Sequence, residues 1–153
     1  MKGIEIRRLM QNEEVPYDLL LLADPSIVII KDYVSRGEIV VANYMGELIG
    51  VYVLIKTRPL TMELVNIAVN EKYQGKGIGK KLIFDAIKRA KEENIKVLQV
   101  GTGNSSLSQL ALYQKCGFNI CGVDRDFFIK HYKEEIIENG IRCKDMIRLE
   151  MDL

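Results

Sequence analysis

The chain has 153 residues, with 22 Lys+Arg against 21 Asp+Glu, a net charge of +1, 48% hydrophobic and 28% charged residues. So balanced a charge gives no footprint for nucleic acid or an anionic membrane surface as partner, and no apolar run reaches the ~18–20 residues that cross a bilayer. The expectation is one α/β domain over 1–153 with an ordinary core.

A single histidine, His131, excludes a multi-histidine metal site. The three cysteines, Cys116, Cys121 and Cys143, form no CxxC, so neither a zinc site nor a disulfide framework is expected. Reduced thiols, and an N-terminal "MKGIEIRRLM" without a long apolar stretch, make the cytoplasm the expected compartment.

In chain order, "IEIRRL" (4–9) alternates as a first strand. Two short helices follow. Pro16 suits the first turn of one; Asp24 as cap, Pro25 as first helical residue and Gly37 as terminator bound the other. "EIVVAN" (38–43) and "ELIGVYVLIKTR" (47–58) form a hairpin across "YMG", and "TMELVNIAV" (61–69) is a fourth strand after a turn at Pro59. Beyond residue 77, Leu82, Ile83, Ala86, Ile87 and Ala90 share one helical face, with Lys80, Lys81, Asp85, Lys88 and Lys91 largely facing away. "IKVLQVGT" (95–102) is a strand and "SLSQLALYQKCG" (106–117) a helix. "FNICGVDRDFFI" (118–129) is β-prone with a bulge at Gly122, residues 130–143 turn about Asn139-Gly140, and "CKDMIRLEMDL" is a last strand. The order β-α-α-β-β-β-α-β-α-β-β predicts a mixed, largely antiparallel sheet with a parallel segment, flanked by helices.

"YQGKGIGKKLI" (73–83) stands between a strand and an amphipathic helix. Free N–H groups and the helix dipole favour an anion there, and glycines allow close approach of backbone to phosphate. The Walker A spacing fails, because Gly79 is followed by Lys80-Lys81 without Ser or Thr; the dinucleotide spacing G-x-G-x-x-G fails as well. A tight strand–helix turn without a ligand remains the alternative.

The pattern that fits is Gln/Arg-x-x-Gly-x-Gly/Ala at Gln74, Gly77 and Gly79, directly after "IAVNEKY". It resembles motif A of the GNAT superfamily of N-acetyltransferases, and "LALYQKCGF" (110–118) resembles motif B. The resemblance covers essentially the whole chain. It implies the acyl-CoA N-acyltransferase fold and direct transfer of acetyl from acetyl-CoA to a primary amine of a small molecule or peptide, without a metal. It implies that the Ile67, Ala68 and Val69 backbone pairs with the pantetheine arm. The amides of Gln74, Gly75, Lys76, Gly77, Ile78, Gly79 and Lys80 receive the diphosphate. Tyr113 matches the tyrosine that protonates the departing thiolate, a task suited to a phenol that is a donor at neutral pH.

Glu63 matches the position of a general base acting through water; the alternative is a solvated strand-end carboxylate. Asn66 is placed to orient that water or the acceptor. Where many members carry an asparagine seven residues before the tyrosine, this chain has Ser106, with Asn104 two residues earlier; both are candidates for the CoA arm. Leu110 and Lys115 are candidates for walls of that site. Acceptor-side candidates are Tyr33, Asp124, Asp126, Phe128, His131, Tyr132 and Glu138. The acidic set Asp124, Asp126, Glu134, Glu135 and Glu138 reads either as an attractor of a cationic amine or as a solvated face. Cys116 reads as a buried small hydrophobe. The resemblance also allows a homodimer through the C-terminal strands. A different class of reading is a CoA-binding sensor or structural module that lacks the chemistry.

Overall fold

The structure, a computed structural model, describes residues 1–153. Its strands and helices are β1 (Glu5–Arg8), α1 (Tyr17–Ala23), α2 (Ile27–Val34), β2 (Glu38–Tyr44), β3 (Glu47–Arg58), β4 (Thr61–Val69), α3 (Ile78–Glu92), β5 (Val97–Gly103), α4 (Leu107–Lys115), β6 (Asn119–Asp124), α5 (Phe127–His131), β7 (Ile137–Glu138), β8 (Ile141–Arg142) and β9 (Met146–Asp152). Seven strands form one sheet in the order β1-β2-β3-β4-β5-β9-β6, and β7 and β8 form a separate small hairpin. Every neighbouring pair in the large sheet is antiparallel except β4 with β5. That parallel pair is bridged by α3, as a parallel connection requires.

The sheet has two apolar faces. On one, α3 lays down Ile78, Leu82, Ile83, Ala86, Ile87 and Ala90 against Tyr52, Leu54, Met62 and Leu64. On the other, Leu20 of α1 and Ile30 and Tyr33 of α2 cover Val41, Val51, Val53 and Ala68. Asp85, expected to face away, is turned inward instead. It accepts the Tyr52 hydroxyl at 2.7 Å and Arg89 Nε at 2.7 Å, because a phenol buried under α3 requires a polar partner.

Turn chemistry explains most connections. Met45-Gly46 (φ 49° and 80°) and Asn139-Gly140 (φ 54° and 72°) supply the two left-handed residues of tight hairpins. Helix α2 is capped by Ser26, whose Oγ accepts the Ile29 N–H at 3.3 Å, rather than by Asp24. Pro25 therefore lies outside that helix. Gly37 is glycine for space and not for termination: a Cβ there would lie 2.8 Å from Val53 Cγ1 and 2.8 Å from the Tyr33 carbonyl oxygen. The β-prone stretch 118–129 is strand only to Asp124, with its register shift between Ile120 and Gly122. Asp126 then turns left-handed (φ 60°), donates its N–H to Asp145 Oδ1 at 2.9 Å, and starts α5. Tertiary contact decides this switch, since Phe128 N–H also docks on the Lys144 carbonyl at 3.0 Å.

Candidate active site

Strands β4 and β5 pair only from Thr61–Leu64 against Val97–Val100. From Val65 to Val69, β4 has a partner only in β3, so its other edge is free. A cavity of about 900 Å³ opens in this parting, and Ile67, Ala68 and Val69 line it. An unpaired strand edge is a template for an extended ligand.

The register against β3 also jumps inside β4. Val53 faces Asn66 but Leu54 faces Leu64, which leaves Val65 as the extra residue of a β-bulge. A bulge re-aims side chains that strict alternation would send to opposite faces. Here Val65 packs among the residues under α1 and α2, while Asn66 bonds to Leu20 and Tyr33 on that same face. Glu63, flanked by Met62 and Leu64 of the α3-side core, belongs to this face as well.

At the far end of β4 the glycine loop closes the cavity. Gln74 Nε2 donates to the Val69 carbonyl at 3.0 Å, so this side chain braces the loop. Gly75 (φ 75°) and Gly77 (φ 81°) are left-handed, and Gly77 caps α3 without a side-chain bond. The first intrahelical bond runs from Lys81 N–H to the Gly77 carbonyl at 3.2 Å. The preceding N–H groups of the first turn, Ile78, Gly79 and Lys80, thus lack helical partners. A Cβ at Gly75 or Gly77 would meet nothing within 4 Å, and one at Gly79 only Leu112 Cδ2 at 3.8 Å. Backbone conformation accounts for the first two glycines; neither φ nor packing demands the third. The space in front of the loop is open, which fits an anion cradle. Gln74, Gly75, Gly77, Ile78, Gly79 and Lys80 line the cavity; Lys76 does not, its Nζ lying 5.8 Å over the Tyr73 ring.

Tyr113, on α4, is buried and lines the cavity. Its hydroxyl accepts Gln109 Nε2 at 3.2 Å, one helical turn earlier, and its ring stands edge-on to Phe118 at 5.9 Å. Burial raises its pKa above the ordinary phenol value, so it keeps its proton across any working pH. Glu63 is mostly buried, and burial raises its carboxyl pKa against the opposing pull of Arg148, whose Nη1 lies 3.6 Å from Glu63 Oε2. Arg148 is itself held by Asp124, at 2.6 Å and 2.8 Å, and lies over the Phe127 ring at 5.5 Å.

Opposite the glycine loop lies a polar network that joins the expected candidates Tyr33, Tyr132 and Asn66 through Asp24, which the sequence marks only as a helix cap. Asp24 is 8% exposed and takes part in no ion pair. Its Oδ1 accepts Tyr132 OH at 2.8 Å and Ser26 N–H at 3.1 Å; its Oδ2 accepts Tyr33 OH at 3.0 Å. Tyr33 in turn accepts Asn66 Nδ2 at 2.8 Å. Burial first, and Asp24 beside them, raise both phenols above their usual pKa, so both stay donors.

Of the remaining candidates, Ser106, Phe128, Tyr132, Tyr33 and Glu138 line the cavity. Asn104 does not: Oδ1 accepts the N–H groups of Lys144 (2.8 Å) and Asp145 (3.0 Å), and Nδ2 donates to the Arg142 carbonyl (3.1 Å). Its amide staples the segment before β9. Ser106 Oγ meets Glu138 Oε1 at 3.0 Å, joining the β7–β8 hairpin to the site. Leu110, Lys115, Asp124, Asp126 and His131 are not among the lining residues. The acidic set is dispersed, with Asp124 on Arg148 and Glu135 3.9 Å from Arg142. Cys116 is buried, and that burial raises its thiol pKa, as suits a packing residue.

Fold and cavity together are those of an acetyltransferase. A family model described as the acetyltransferase (GNAT) family matches residues 6–118. The N-acetyltransferase YvbK of Bacillus subtilis strain 168, itself uncharacterised, is 58% identical over 142 residues, 93% of this chain and 91% of that one. The IAA acetyltransferase of Bacillus cereus ATCC 14579 superposes with a TM-score of 0.95 at 60% identity, covering 99% of this chain and 100% of that chain. A GNAT acetyltransferase of Elizabethkingia anophelis with acetyl-CoA bound gives 0.98 at 49% identity over 100% of both chains. The chain belongs to the GNAT family of acetyltransferases.

Proposed function

We propose that this enzyme moves acetyl from acetyl-CoA directly to a primary amine within a ternary complex, all 153 residues acting as one domain. The observation that carries this reading is the placement, around one cavity, of a free strand edge, a glycine-capped helix N-terminus, a buried phenol and a mostly buried carboxylate. The free edge of Ile67–Val69 suits the amide-bearing arm of CoA, and the first-turn N–H groups of α3 suit its diphosphate. When bound, the thioester supplies the activated acetyl group.

The residues of the chain then divide the proton work. Glu63, through water, takes the proton that the amine loses as its nitrogen bonds to the carbonyl carbon. Its raised pKa brings it nearer to the working pH of a base. Tyr113 gives its proton to the sulfur as the carbon–sulfur bond breaks. Gln109 fixes the Tyr113 oxygen from one side and leaves the hydroxyl proton for the leaving group. Ser106, the residue before α4, lines the cavity and Asn104 does not, which supports Ser106 as the contact for the CoA arm.

The test is release of free thiol from acetyl-CoA against a panel of amines, for wild type and Tyr113→Phe. Turnover in wild type that collapses in the variant supports the mechanism. Acetyl-CoA binding without turnover for any amine or peptide amine would favour a catalytically silent CoA-binding module.

A further inference from the structure

Asp24 brings a carboxylate into the cavity wall without a cation. A buried carboxylate is costly unless its lone pairs are satisfied and its charge is balanced. Its three donors, Ser26 N–H, Tyr33 OH and Tyr132 OH, are all neutral. They leave about one of its four acceptor positions, on Oδ2, open.

A second observation points the same way. Asn66 is 4% exposed, and its Oδ1 has no hydrogen-bond partner. The amide cannot be flipped to remedy this, because its nitrogen faces the Leu20 carbonyl at 3.1 Å, which only accepts. Asn66 and Asp24 are joined through the Tyr33 hydroxyl, and all three residues line the cavity with Tyr132 and Phe128. The wall therefore presents an open carboxylate position on Asp24, backed by the unsatisfied Asn66 oxygen, with a net negative charge and aromatic rings that suit a cation.

The charge also says which nitrogen belongs there. A carboxylate at hydrogen-bond distance stabilises the ammonium form, whereas the attacking amine must be neutral. Asp24 therefore suits a nitrogen that does not react. Glu63 and Asn66 stand on the same face of β4 opposite Ile55 and Val53, two residues apart on β3 and about 7 Å at strand rise, so the two functions are spatially separate.

We propose that Asp24, Tyr33, Tyr132 and Asn66 form a subsite for a second, protonated nitrogen of the acceptor, so that the acceptor class is small molecules bearing two amino groups. This rests on the acetyl-transfer reading above and narrows its acceptor.

The test uses 1,4-diaminobutane and 1-butanol as probes, titrated into the protein with and without CoA. The diamine binds and the alcohol does not. Asp24→Asn, which keeps an acceptor and removes the charge, weakens diamine binding on the order of 10- to 100-fold, as for a lost charged hydrogen bond, and leaves CoA binding unchanged. In turnover, the diamine is acetylated at least about tenfold more efficiently than 1-aminobutane, whose only nitrogen is the one Asp24 would hold protonated. Equal binding of alcohol and diamine, or diamine affinity untouched in Asp24→Asn, overturns the subsite. If that variant does not fold, the wild-type comparison of diamine with alcohol decides alone. Failure of CoA to bind strikes the acetyl-transfer reading; CoA binding without diamine preference strikes the subsite only.

Discussion

On the α3 side of the cavity the groups proposed for recognition are backbone: the free edge of β4 and the first-turn amides behind Gly77. On the α1–α2 side they are side chains, gathered from Asp24, Tyr33, Asn66 and Tyr132, with Tyr132 lying 108 residues from the Asp24 it bonds. The first arrangement requires a strand, a turn and glycines in one contiguous run. The second requires the whole fold. A donor common to many enzymes suits the former; an acceptor particular to one enzyme suits the latter.

The strongest way to break this comparison is to remove chemistry from the donor side while leaving its backbone intact. Tyr113→Phe lowers kcat by about 10²–10⁴-fold, the usual size of an acid–base contribution, with acetyl-CoA affinity nearly unchanged. Equal losses in both would make Tyr113 a binding residue instead. Gly77→Val attacks the backbone itself. A β-branched residue at φ 81° is strained, and its side chain enters the open space before the loop. The strain costs about 1–2 kcal/mol, so the protein still folds, while CoA affinity falls by about 100-fold if first-turn amides carry two or more charge-assisted bonds. Calorimetry on the folded variant separates the two effects.

The seam between the sides is Glu63. Its folded pKa is raised by burial, and in the proposed role of base it must be ionised to act. Activity is therefore present above that raised pKa and lost as pH falls through it. Arg148→Met removes the nearby charge that favours the carboxylate, so the acid limb of the kcat/KM profile moves to higher pH. A profile unmoved by Arg148→Met and by Glu63→Gln alike takes Glu63 out of the mechanism. The smallest effect sharpens the comparison inside one loop. Asn104→Ala loses three local bonds and costs about 2 kcal/mol of stability with CoA affinity retained. Ser106→Ala weakens CoA binding a few-fold, as for a single uncharged hydrogen bond, and loses less stability than Asn104→Ala because only its exposed bond to Glu138 goes. Denaturant melts and calorimetry of the pair read both quantities.

The strand edge and glycine loop proposed to hold the donor were legible as structure because their determinants are local. Gln74, Gly77 and Gly79 announce a helix N-terminus whatever surrounds them, and the apolar spacing of α3 follows from residues 82–90 alone. On the other side Tyr33, Tyr132 and Asn66 stood out singly, but the network that joins them hid behind signals that also have ordinary meanings. Asp24 before Pro25 reads as a helix cap, yet Ser26 takes that role and frees Asp24 for two tyrosines. Asn66 reads as a polar residue in an apolar strand; only the bulge at Val65 aims it at Tyr33. Helix α5 could not be seen at all, since Phe127-Phe128 favours a strand until Asp145 and Lys144 pull the chain into a turn. Gln109 offered no signal beyond its place one turn before Tyr113.

The most direct test of the central claim, that the parted strands and glycine loop hold CoA, is isothermal titration of the protein with acetyl-CoA, beside ATP and NAD. The account predicts saturable acetyl-CoA binding at one site, no comparable binding of ATP or NAD, and loss of the signal in Gly77→Val. Absent binding of acetyl-CoA, or binding that survives Gly77→Val, would contradict it and leave the loop as a turn.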